Sequence, residues 1–341
     1  MYPFSPVTLT HRFTRPVSRS EITAVGISPS SSPSSPSLAY AIFPGAQPDQ
    51  SWIDTFDLVS QRAYTKIVGP VASFSPTLHS PPLRVGKSAP SSASSSSSSS
   101  SSAEAFPRIA TLSSTHTLTA LLELKDVSPP IAWSPDGRTI AAAELPSRRQ
   151  QISTTTHRIG TWDVRTGTRT GRVPGHIDTV THLAFTPSGS LATLSRDGTV
   201  RITNPVTSKT LYKLEIGNDD NSGARIPRAL GVSQDGATVV SVWGTTVHVW
   251  MPKHGRLTSY RLGETRDCEG WPLCVSPDCR YIASWTEEGF DVMDVASGRV
   301  VGGMDGGELV TAGEFSVDGR VLVVGRVSGD VEVWDVVDER V

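Results

Sequence analysis

The chain has only three cysteines among its 341 residues, Cys268, Cys274 and Cys279. That is too few for a disulfide framework and suits a reducing compartment. No apolar run approaches the roughly 18 residues of a membrane span. The formal charge is −2, which implies no general attraction to nucleic acid or to an anionic membrane. The G-x-S-x-G, P-loop and H-E-x-x-H patterns are absent, so no catalytic signature marks the chain. The N-terminus lacks the apolar stretch of a secretory signal. Arg12, Arg15 and Arg19 precede the first acid, Glu21, as in a mitochondrial presequence, but Pro3, Pro6 and Pro16 would break the helix such a signal needs. The composition is read as that of an intracellular protein, cytoplasmic or nuclear.

What the chain does have is repetition. The stretch Gly160 to His176 reads as a strand ending in Trp162-Asp163, a turn at Thr166-Gly167, a second strand and a Gly175-His176 dipeptide. Trp-Asp recurs intact at Trp334-Asp335, with weaker echoes at Phe56-Asp57, Thr203-Asn204, Trp250-Met251 and Met293-Asp294. From Asp163 onward the second residues are spaced 41, 47, 43 and 41 apart. A second marker runs in phase: Trp133-Ser-Pro-Asp-Gly137, Phe185-Thr-Pro-Ser-Gly189, Val232-Ser-Gln-Asp-Gly236, Val275-Ser-Pro-Asp-Cys279 and Phe315-Ser-Val-Asp-Gly319. Two markers repeating together at about 40 to 45 residues signify a propeller of four-stranded blades. Cys279 stands where the other turns have glycine, which predicts a different turn there.

On these residues the chain resembles the WD-repeat (Trp-Asp) β-propeller family, well over 127–341 and more faintly over 20–125. The expected fold is all-β: one domain over 1–341, a seven-bladed propeller of four-stranded antiparallel blades. The Ser/Pro-rich segment 77–105, with an unbroken serine run from Ser94 to Ser102, reads as a disordered insertion between the first and second strands of blade two, on the bottom face. Blade seven has only three strands before Val341. At the other terminus Val7, Leu9, His11 and Phe13 alternate with Thr8, Thr10, Arg12 and Thr14, a period-two pattern with one mainly apolar face. Residues 6–14 are therefore expected to pair with 330–336 and close the ring.

The resemblance also points to a hydrogen-bonded chain of His, Ser or Thr, Asp and Trp. Blade four matches with His176, Ser195 and Asp197, and has Thr203 at the Trp position. These residues read as a lock on blade geometry rather than as a His–Asp catalytic pair. The three cysteines lack the fourth ligand and the spacing of a zinc site, so no metal, no cofactor and no catalytic residue is assigned. Trp52, Trp133, Trp162, Trp250 and Trp334 read as packing residues, whereas Trp243, Trp271 and Trp285 lie at strand ends near loops.

In such propellers the top face is built from the loops between blades and those joining second to third strands. For blades five to seven these are 217–228, 263–271, 286–289 and 305–309. They hold nine acids, Asp219, Asp220, Glu264, Asp267, Glu269, Glu287, Glu288, Asp305 and Glu308, against Arg225, Arg228 and Arg266. The pattern reads either as ordinary solvated loops or as a docking face for a basic peptide, with Trp271 or Trp243 as the aromatic anchor. The resulting expectation is a monomeric, non-enzymatic scaffold that binds protein partners. A lactonase-like hydrolase with a metal in the central channel and a structural subunit of a larger assembly stand as alternatives.

Overall fold

The computed structural model describes residues 7–28, 38–44, 51–69, 73–77, 80–87, 107–112, 118–123, 127–144, 157–216, 226–261, 273–286 and 289–338. The chain opens with strand β1 (Val7–Pro16). Blade one holds β2 (Ala24–Ser28), β3 (Leu38–Pro44), β4 (Ser51–Asp57) and β5 (Ala63–Gly69). Blade two holds β6 (Ser73–Thr77), β7 (Ser80–Lys87), β8 (Pro107–Leu112) and β9 (Leu118–Glu123). Blade three holds β10 (Val127–Trp133), β11 (Thr139–Glu144), β12 (His157–Asp163) and β13 (Arg169–His176). Blade four holds β14 (Val180–Phe185), β15 (Leu191–Ser195), β16 (Thr199–Asn204) and β17 (Lys209–Glu215). Blade five holds β18 (Pro227–Val232), β19 (Val239–Trp243), β20 (Thr246–Met251) and β21 (Arg256–Arg261). Blade six holds β22 (Leu273–Val275), β23 (Tyr281–Thr286), β24 (Gly289–Asp294) and β25 (Arg299–Asp305). Blade seven holds β26 (Val310–Phe315), β27 (Val321–Arg326) and β28 (Asp330–Asp338).

These strands form seven antiparallel four-stranded sheets. The first strands lie side by side in sequence, β2 against β6, β6 against β10 and so on to β26, which returns to β2. Among the described residues the sole helical piece is one 3-10 turn, Pro252–His254. The core lies between blades. One cluster joins blades four and five through Leu194, Val200, Val239 and Trp250. Another joins blades six and seven through Trp285, Phe290, Leu322 and Trp334.

The two repeated markers become two repeated turns. In the Ser-Pro-Asp-Gly type, the Ser134 hydroxyl donates to Asp136 over 2.6 Å and accepts from the Thr139 amide over 2.8 Å. Ser233, Ser276 and Ser316 do the same with Asp235, Asp278 and Asp318. The last position of the turn is left-handed, with φ of 68° at Gly137, 66° at Gly236 and 70° at Gly319. Cys279 adopts the same conformation, φ 58°, and its amide donates to the Ser276 carbonyl over 2.8 Å as the glycines' do. The different turn expected there does not form. The surrounding Ser-Asp hydrogen bonds hold the cysteine in a region disfavoured for a side chain.

The Trp-Asp marker caps the turn between third and fourth strands. Asp163 accepts from the Thr166 amide over 2.7 Å, Asn204 from Val206 and Thr207, and Asp294 from Ser297. Blade seven has no such turn, and Asp335 instead pairs with Arg12 of β1.

That contact belongs to the ring closure. β1 runs antiparallel to β28 from Val7 opposite Asp338 to Pro16 opposite Asp330 and forms the outer edge of blade seven. The simple alternation read from the sequence does not persist along it. The register shifts between His11 and Phe13, so Leu9 packs on the blade six and seven cluster while Phe13 packs on the blade one and seven cluster. A one-residue bulge turns every later side chain to the opposite face.

The expected insertion is also redrawn. Ser80–Lys87 is a strand paired with both β6 and β8. The serine run therefore falls between the second and third strands of blade two, not the first and second. Its residues, within 88–106, lie outside the described residues.

Candidate functional site

The densest polar constellation is in blade four. Gly175 has φ 121°, and a Cβ there would stand 2.2 Å from a guanidinium nitrogen of Arg201, so glycine is required where β13 ends. This delivers His176 to a buried position, 1% exposed, beneath the second and third strands. Its Nδ1 lies 2.9 Å from Asp197 and its Nε2 2.7 Å from the Thr193 hydroxyl. Asp197 also accepts from the Thr199 hydroxyl over 2.6 Å and from the Ile177 amide over 3.1 Å. Burial opposes its charge, yet the bonds from His176, Thr199 and Ile177 hold its carboxyl well below the usual carboxylate range.

Ser195, expected in this chain, stands one step aside. Its hydroxyl donates to the Asp178 carbonyl over 2.9 Å and accepts from the Asp197 amide. The hydroxyl facing the imidazole is that of Thr193, two residues earlier and on the same strand face. The pattern placed a Ser or Thr on the second strand, and β15 offers both. Only the register decides between them. With both ring nitrogens engaged and the ring out of solvent, the pair has no nitrogen left to meet a substrate proton.

Blade seven builds a different lock. Arg326, 2% exposed, bonds Glu332 through two nitrogens, at 3.1 and 2.8 Å, and also reaches the Glu308 carbonyl. Trp334 donates its indole N–H to Glu332 over 3.1 Å. No signal in the Trp-Asp repeat marks Arg326 or Glu332. An arginine closing a β-strand three residues before a turn glycine gave no hint of its burial.

The top-face residues divide. Trp243 is 6% exposed and packs between blades four and five. Trp285 is 1% exposed, with its ring stacked over Gly313 of the next blade, where a Cβ would lie 2.2 Å away. Neither is an exposed anchor, because both fill the gaps between blades. Arg228, 9% exposed, donates to the Gly244 carbonyl over 2.8 Å. Asp219, Asp220, Arg225, Glu264, Arg266, Asp267, Cys268, Glu269, Trp271, Glu287 and Glu288 lie outside the described residues.

Elsewhere the chemistry is subdued. Burial raises the Glu314 carboxyl on the inner strand β26 to about 8, which leaves it mostly protonated at neutral pH. Burial pushes the Cys279 thiol up to about 12 and Cys274 higher still, so neither is a nucleophile at neutral pH. Among the described residues no group of three or more His, Cys, Asp and Glu side chains is placed to hold a metal ion. No helix of the described residues is long and apolar enough to cross a membrane. A groove of about 440 Å³ lies between blades three and four, over Thr161, Thr170, Phe185, Pro187 and Pro205.

Comparison with known proteins bears on the blade that carries the histidine. The model of the WD domain, G-beta repeat, matches residues 167–204, which run from the turn before β13 to the end of β16. Residues 167–204 carry a WD repeat. A 66-residue segment is 39% identical to Coronin-7 of Rattus norvegicus, covering 19% of this chain and 7% of that protein. The chain thus matches only a small part of its relative's length. The matched repeat contains Gly175, His176, Thr193 and Asp197, so the buried hydrogen-bond chain and the family repeat are the same piece of structure.

Proposed function

We propose that this WD-repeat chain is a non-enzymatic interaction scaffold that takes a basic peptide segment on the top face of blades five to seven. The supporting observation is the charge imbalance of those loops. Nine acids face three arginines in the sequence, and one of the three, Arg228, is turned inward onto the Gly244 carbonyl. Asp219, Asp220, Asp267, Glu269, Glu287 and Glu288 would supply the attraction and orientation. Trp271 takes the part of aromatic anchor, since Trp243 is consumed in the core. Rigid blades presenting side chains on loops give affinity without any bond being made or broken.

The test is a fluorescent decapeptide of alternating arginine and serine, followed by anisotropy. Changing Asp267, Glu269, Glu287 and Glu288 together to lysine is expected to weaken binding by at least about tenfold, or about 1.4 kcal/mol, with the melting temperature unchanged. Raising the salt should weaken binding to the parent as well, because exposed charges are screened over about 8–10 Å. Binding that survives both changes rules the reading out.

A further inference from the structure

The outer strand of each blade is an open edge, and an open edge invites another strand. Blades guard it with a bulge. The pairing of third with fourth strand shifts register at Thr55/Phe56, Ile109/Ala110, Thr161/Trp162, Ile202/Thr203 and Val292/Met293 in blades one, two, three, four and six. The β1–β28 pair of blade seven shifts as well. Blade five is the exception. β20 and β21 pair without a break from Thr246 opposite Arg261 to Met251 opposite Arg256.

The cause is readable in the residues. In blades one, three, four and six the shift comes just before the Asp or Asn that caps the next turn, at 57, 163, 204 and 294. In blade five that position is Met251, which has no side-chain oxygen to form the cap. The chain turns instead through Pro252–His254, with Gly255 left-handed at φ 62°. The result is a straight, regular edge whose residues are exposed apart from the half-buried Tyr260.

That edge carries charge of one sign. His254, Arg256 and Arg261 are exposed and enter no salt bridge among the described residues. Leu257 is 45% exposed between the two arginines. No acid occurs between Asp235 and Glu264, although residues 217–341 hold 20 acids and 11 Lys and Arg. We propose that β21 takes up an acidic, extended segment of a partner protein as a fifth strand of blade five. Main-chain hydrogen bonds along the unbulged edge supply the affinity. Carboxylates five residues apart, opposite Arg256 and Arg261, set the register. A second copy of the chain is disfavoured as occupant, because antiparallel self-pairing of β21 sets Arg256 opposite Arg261, and like charges directly opposite destabilise a pair.

The probe is a fluorescein-labelled peptide, Glu-Thr-Val-Thr-Val-Glu, titrated with the full chain. The expected result is saturable binding, at least about tenfold tighter than for the same peptide with lysine at both ends. Methylating the backbone nitrogens of the four central peptide residues should abolish it, since the ladder donors are lost. The R256E/R261E chain should lose the acidic peptide and bind the lysine-ended one, which shows that the edge is still folded. The chain reversed at Asp267, Glu269, Glu287 and Glu288 should bind the acidic peptide undiminished, so this edge and the top face fail independently. No binding at about 1 mM peptide, equal binding of the methylated peptide, or indifference to R256E/R261E overturns the proposal.

Discussion

Deleting residues 1–16 is expected to lower the melting temperature by about 10 °C or more and to cause aggregation on heating. The deletion removes β1 and everything it covers. Phe13, 7% exposed, packs edge-on to Phe56 of blade one at 6.3 Å between ring centres, and full burial of such a side chain is worth about 1.5–3 kcal/mol. Leu9 adds a smaller share against the blade six and seven cluster. Arg15 donates to the Gln61 carbonyl, pairs with Asp54 at 3.5 Å and lies over the Phe56 ring. Arg12 pairs with Asp335. These contacts tie the first blade to the last, so their loss opens the ring as well as removing area. Against a net stability of roughly 5–15 kcal/mol the loss is a large fraction. The uncovered β28 then offers a row of open backbone groups to other chains. Thermal unfolding with light scattering reads both effects. A truncated chain that melts within about 2 °C of the parent and stays monomeric would show that the ring does not depend on this strand.

The closure was legible in the sequence because two independent signals agreed: a blade one strand short and an orphan period-two segment at the other terminus. The bulge between His11 and Phe13 was not legible, since alternation alone continues through it. Blade two misled for a related reason. Pro81 and Pro82 discourage a strand, yet β7 continues past them: the ladder to β6 shifts register there, and pairing on both sides begins at Leu83. Long-range pairing overrides local propensity there. The Asp- and Asn-capped turns were the most legible part, because the side-chain oxygen lies two or three residues from an amide it binds. The tryptophans were the least. Whether Trp243 and Trp285 face solvent or a neighbouring blade depends on how adjacent sheets face each other, which no single strand encodes. In blade four the sequence brought His176 and Asp197 to one site but named the wrong hydroxyl, since Thr193 and Ser195 differ only in distance along the strand.

The buried chain in blade four leads to the other large effect. Replacing Asp197 by alanine is expected to cost about 2–6 kcal/mol, the sum for two buried groups left without their acceptor. The carboxylate is 1% exposed, and its removal leaves the His176 ring, the Thr199 hydroxyl and the Ile177 amide without their acceptor. The His176 ring and the Thr199 hydroxyl are buried, and each such orphaned group costs about 1–3 kcal/mol by itself. Asparagine at 197 keeps the shape and loses the charge, and it separates the two contributions through pH. The folded carboxyl titrates below its unfolded value of about 3.9, so its ionisation stabilises the fold above that pH. The stabilisation is lost as the pH falls through the unfolded value toward the folded one. The stability gap between the parent and Asp197→Asn should therefore be steady from about pH 5 upward and narrow below about pH 4. Urea unfolding at a series of pH values measures it. A gap of the same size at pH 3 and pH 7 would mean that the charge of Asp197 contributes nothing, and an alanine variant as stable as the parent would mean that the hydrogen-bonded chain does not lock the blade.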